Sequence, residues 1–80
     1  MRTDIPQFRK NLALRLRLLR KKNGDISQFD FAYKVGIDRS FYGALERGER
    51  NTTLDKLISI ADCHNITVSD LLNGLQEIPK

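Results

Sequence analysis

Eighty residues, 40% hydrophobic and 30% charged with a formal net charge of +4, specify one small globular domain with a thin core. One Cys excludes an internal disulfide scaffold and a four-Cys zinc site, and one His weakens any His-based metal or catalytic cluster. No apolar run approaches the roughly 18–20 residues of a membrane helix, and arginines interrupt LALRLRLLR, so no signal-peptide core exists; a reduced, cytoplasmic protein with no membrane partner is expected.

The first predicted helix spans Ile5 to Lys22. Phe8, Leu12, Leu16 and Leu19 recur at helical spacing and share one face. Asp4 is the expected N-cap with Pro6 in the first turn, and Asn23-Gly24 ends the helix after the basic run Arg20-Lys21-Lys22. Leu14 and Leu18 fall opposite the stripe, as surface leucines or as a contact for another element or subunit. A second helix runs from its cap Ser27 to about Val35, where Gly36 stops it. A third follows at once: Asp38 caps it, and it runs from Arg39 to about Arg47. A fourth starts at Thr53, with Leu54, Leu57, Ile60 and Ala61 as its apolar face, His64 extending it and Asn65 as a left-handed exit. The fifth starts at Thr67, which forms an approximate capping box with Asp70. Val68, Leu71, Leu72 and Leu75 are its apolar side, and Gly74 weakens its last turn. No segment alternates with period two for more than a few residues, so the expected fold is all-α, a compact cluster of five helices.

Charge divides unevenly along the chain. Residues 1–50 hold twelve Lys/Arg and six Asp/Glu, whereas residues 51–80 hold two and four. All six aromatic residues lie in the first half as well. A basic, aromatic-bearing face attracts polyanions, of which nucleic acid is the commonest large one. A solvated basic helix is the plainer alternative.

The stretch QFDFAYKVGIDRSFYGALER, Gln28 to Arg47, carries the function. Two short helices joined by Gly36-Ile37-Asp38 make a helix-turn-helix. Ala32 allows the helices to cross closely, Gly36 supplies the positive φ, and Ile37 pins the turn. Phe31 and Val35 face inward from one helix, Tyr42 and Leu45 from the other. The opposite face of the second helix presents Arg39, Ser40, Gly43 and Ala44, with Arg47 beyond, and suits base edges in a major groove.

The chain resembles the lambda-repressor-like, Cro-type family of helix-turn-helix regulators, also called the xenobiotic-response-element family, over roughly residues 12–72. The carriers are Leu16-Arg17-x-Leu19-Arg20, Ser27-Gln28, Ala32, Gly36-Ile37, Leu45-Glu46-Arg47-Gly48, Leu54-x-x-Leu57-x-x-Ile60-Ala61 and Ile66-Thr67-x-x-x-Leu71-Leu72. Within the family, Asp38 to Gly43 and Glu46 to Asn51 look most like the small controller proteins of restriction–modification systems. Two departures stand out: Tyr42 replaces the usual Ile or Val, and Asp25 is an extra residue before the second helix.

The resemblance implies a sequence-specific DNA-binding regulator, a repressor or activator, and no enzyme. Arg39, Ser40, Gly43 and Ala44 would read bases; Ser27, Gln28, Lys34, Phe41, Arg47, Arg50, Asn51 and Thr52 would meet phosphate or backbone. Gln28 would alternatively brace the recognition helix, Phe41 would alternatively be core, and Gly43 would admit DNA backbone, Tyr33 or another ring. Arg20 and Glu46 would form a structural ion pair.

One such helix reaches only about 12–14 Å, so a homodimer on a (pseudo)palindromic operator is expected. Its interface would use Ile58, Cys63, Leu71, Leu72, Leu75 and Ile78, with residues 66–80 as the dimerisation end of a single domain 1–80. RNA polymerase is a further expected partner. Cys63 and His64 point about 100° apart on a helix and lack further ligands, so no metal or other cofactor is expected. The rival reading is a protein-interaction module on the same scaffold, antitoxin-like or coactivator-like. A basic amphipathic helix from Phe8 to Lys22 could also lie on an anionic membrane, but the resemblance places its apolar stripe in the core.

Overall fold

The computed structural model describes residues 2–76, which hold five α-helices and no strand. These are α1 (Ile5–Lys22), α2 (Gln28–Val35), α3 (Arg39–Glu46), α4 (Leu54–Cys63) and α5 (Val68–Leu72). Each begins where a side chain can cap it. Asp4, Ser27, Asp38, Thr53 and Thr67 all accept the backbone N–H three residues on, satisfying one orphan donor per helix. At α5 the box is complete, because Asp70 also accepts the Thr67 N–H.

The α2–α3 turn is a left-handed exit followed by a buried plug. Gly36 has φ +84°, and the Ile37 N–H reaches back to the Ala32 carbonyl at 2.9 Å. Ile37 is then buried against both helices. Leu16, Phe31, Tyr42, Ile60 and Leu71 are fully enclosed and contribute one residue from each helix to the core. Tyr42 fits by tilting against Phe31, at 5.2 Å between ring centroids, while His64 stacks on the same ring at 4.7 Å.

Three boundaries differ from expectation. Arg47 and His64 cap α3 and α4 rather than continuing them. Helix α5 is only five residues long, because Asn73 turns extended and Gly74 takes φ +79°. The chain thereby swings Leu75 back into the core. The carbonyls left over at this short helix are satisfied from α1: Arg15 donates to Asp70, Leu71 and Asn73, and Asn11 donates to Leu75.

This geometry corrects the expected dimer surface. Leu71 and Leu75 are core residues of the protomer and offer nothing to a partner. Cys63 and Leu72 are half-buried, Ile58 is exposed, and Ile78 lies outside the described residues. Leu54, one turn before Ile58 on α4, is 63% exposed and joins it in an outer apolar stripe. Leu14 and Leu18 on α1 also stand open to solvent.

Candidate nucleic-acid interface

Helix α3 is held from behind by a buried charge cluster. The Arg20 guanidinium donates from Nε to Glu46 Oε2 at 2.8 Å and from Nη2 to Oε1 at 2.9 Å. Its Nη1 donates to the Ile26 carbonyl at 2.7 Å, tying the α1–α2 loop to the same group. Gln28 at the start of α2 adds a third donor to Glu46, at 3.0 Å. The two charged side chains are only 10% and 1% exposed. Burial pushes the Glu46 carboxyl upward, but Arg20, Tyr42 and Gln28 outweigh it and hold it below its ordinary value. The carboxylate in turn holds the Arg20 guanidinium more firmly charged. The Tyr42 hydroxyl is buried beside this pair and makes no hydrogen bond of ordinary geometry. Burial, reinforced by Glu46, pushes its phenol far above the usual range. Gln28 therefore ties the start of α2 to the end of α3 through Glu46.

The outer side of α3 divides into open and covered positions. Arg39 and Ser40 are exposed at its amino end. Gly43 and Ala44 are buried, a correction to the small open face expected from spacing. A side chain at Gly43 would stand 3.2 Å from Arg47 Nη1 and 3.4 Å from Gln28 Oε1. These two long side chains, and no aromatic ring, occupy the space that glycine leaves. At Ala44 the carbonyl accepts the Glu49 N–H at 3.0 Å, so the following loop folds back beside it.

Two cation–aromatic contacts flank α3. Toward α2, the Arg39 guanidinium lies 5.0 Å from the Phe29 ring centroid. Toward α4, the half-buried Phe41 ring has Arg50 at 5.0 Å and Lys56 at 4.7 Å. Phe41 packs against the core while holding Arg50 of the loop and Lys56 of α4 over its ring. Arg50 and Asn51 are exposed and Thr52 is half-buried, all in that loop. Arg47 is exposed but paired with Glu49 at 3.0 Å. Ser27 spends its hydroxyl on capping α2.

Lys34 does not join this group. Its cation acts on His64, whose imidazole burial already holds below its ordinary 6.5. Five residues separate Lys34 from Phe29, which at about 100° per residue puts them on different flanks of α2. Lys56 and Phe29 carry no expected role from sequence, because the contacts that recruit them cross between elements.

Comparison with known proteins decides the family. The helix-turn-helix family HTH_3 matches residues 16–71, which span every element from mid-α1 to α5. The chain belongs to this helix-turn-helix family. Among its relatives, the control protein C.MunI from Mycoplasma sp is 36% identical over 63 residues, covering 79% of this chain and 85% of that protein. The control protein C.SmaI from Serratia marcescens is 41% identical over 61 residues, covering 76% and 71%. The crystal structure of the restriction-modification controller protein C.AhdI from Aeromonas hydrophila superposes with a TM-score of 0.73. It is 36% identical and covers 79% of this chain and 94% of that one. The helix-turn-helix relatives of this chain are regulators, a family of non-enzymes. Among the described residues, no helix is long and apolar enough to cross a membrane.

Proposed function

We propose that this helix-turn-helix protein is a sequence-specific double-stranded DNA-binding regulator that acts as a homodimer on a (pseudo)palindromic operator. The observation that carries the reading is the exposed amino end of α3, where Arg39 sits over Phe29 beside Ser40, with Arg50 and Lys56 seated over Phe41 on the other flank. In a major groove Arg39 would donate two hydrogen bonds to guanine, and Ser40 would reach an adjacent base. Arg50, Asn51 and Thr52 would take phosphates and set the register without reading sequence, with Arg47 added once it leaves Glu49. Gly43 enters the readout only if Gln28 and Arg47 swing aside, and Ala44 only if the loop at Glu49 moves.

A second protomer would double a short readout, and its seat is the outer stripe Leu54–Ile58 of α4. The relatives named as restriction-modification controllers suggest the same role here, on an operon of that kind. RNA polymerase remains a further proposed partner.

Selection of bound oligonucleotides from a random duplex pool tests the reading. Recovery of a conserved two-fold-related site supports it; recovery of no enriched sequence overturns it. One observation favours a second reading, a protein-interaction module: Phe29 and Tyr33, one turn apart on α2, are 55% and 83% exposed. Absence of any gel shift with random duplex, alongside specific capture of a protein through that pair, would favour it.

A further inference from the structure

The amino-terminal half of α1 runs directly past the loop that follows α3. A side chain at Gly48 would stand only 3.5 Å from the Lys10 Cα and 3.6 Å from the Arg9 carbonyl oxygen. This approach brings Arg9 into one cleft with Arg50, Asn51 and Thr52, the loop residues already assigned to the DNA backbone. The cleft has a volume of about 370 Å³, and Phe8 and Leu57 are among its apolar lining.

Arg9 is half-buried in that cleft, and its Nε is shielded from solvent without an acceptor among the described residues. Among the described residues, no carboxylate lines the cleft. Arg50 is in a similar condition, seated on Phe41 but free of any acidic partner among the described residues. Two guanidiniums lining one cleft repel each other, and partial burial of one without an acceptor is unfavourable. An anion delivered to the cleft relieves both conditions, and a guanidinium matches the geometry of phosphate oxygens. Arg9 also lies seven residues ahead of the stretch matched by the family, residues 16–71.

We propose that Arg9 is a DNA-phosphate ligand, extending the backbone-binding strip from the α3–α4 loop onto α1. The inference rests on the DNA reading above and adds to it. Arg9 and Arg50 hold a phosphodiester of the bound duplex, while Phe8 and Leu57 line the cleft that sets the Arg9 stem in place.

Fluorescence anisotropy across a salt series, with a random-sequence duplex and with the selected operator, tests the assignment in the full chain. Arg9→Gln should weaken both duplexes by the same factor, roughly tenfold. It should also reduce the slope of log affinity against log salt by about 0.9 for each protomer, and Arg9→Lys should keep most of that slope. Wild-type affinity and slope in Arg9→Gln, with Arg50→Ala losing both, would overturn the role of Arg9 and leave the DNA reading standing. Failure of the wild-type chain to bind any duplex overturns both. A thermal melt confirms that Arg9→Gln is folded. If it is not, the wild-type Arg9 Nε–H resonance decides: a shift on adding duplex supports the assignment, and an unmoved signal refutes it.

Discussion

Arg20 and Glu46, twenty-six residues apart in the chain, form a two-point ion pair that is almost sealed from solvent and that anchors α1, α2 and α3 to one another. Of the three acceptors that Arg20 uses, two belong to Glu46, and an amide there keeps one oxygen and turns the other into a donor. Glu46→Gln keeps the size and removes the charge, and should cost about 3–5 kcal/mol in chemical denaturation. A change within experimental noise would mean that water reaches Arg20.

The same pair has a pH signature. The native Glu46 carboxyl lies below its ordinary value of 4.5. The unfolded chain therefore takes up the proton first as pH falls. The stability this group adds is complete above the unfolded value and is lost on acidification through the native one. Acid unfolding followed by circular dichroism should show a steeper loss of stability below 4.5 in the wild type than in Glu46→Gln.

His64 acts at milder pH. Its ring is stacked on Phe31, hydrogen-bonded through Nδ1 to Asn23, and lies in the field of Lys34. Burial first, and Lys34 second, hold the imidazole below 6.5. Stability should therefore fall as pH drops from 6.5 toward the lower native value, because the unfolded state gains the proton first. Urea midpoints at a series of pH values check this, and His64→Leu should flatten the decline.

Gly36 carries the bend on which the orientation of α3 depends. A Cβ there would meet nothing within 4 Å, so the cost of Gly36→Ala comes from its φ of +84° alone. About 1–2 kcal/mol of destabilisation is expected. An unchanged melting temperature would show that the turn tolerates a side chain in the left-handed region.

Arg39 and Arg50 should separate in binding assays. Arg39→Ala should relax discrimination at one or two base pairs by about 1–3 kcal/mol, whereas Arg50→Ala should weaken all duplexes alike. Uniform loss in both variants would remove Arg39 from base reading.

The oligomeric state follows from α4. Light scattering at micromolar concentration should report about twice 9.2 kDa, and Ile58→Asp should return the mass of one chain. Ile58 is 41% exposed, so this change leaves the core intact. A single-chain mass for the wild type would refute the dimer.

The sequence by itself determined where every helix begins and where the helix-turn-helix bends. A cap is chemistry between a side chain and a backbone N–H three residues away, and a left-handed glycine is a property of one residue, so both can be read from short stretches. The inward positions of α1, α2 and α3 followed from period 3.6 for the same reason. Only the tertiary structure decided the rest. Leu75 became core because a helix of five residues ends in a turn that folds back on α1, and periodicity extrapolated along a longer helix cannot see that. Gly43 is covered by side chains arriving from Gln28 and Arg47, and Phe41 gathers Arg50 from the following loop and Lys56 from α4. Such contacts depend on how elements pack and how far long side chains reach, so no spacing in the chain encodes them.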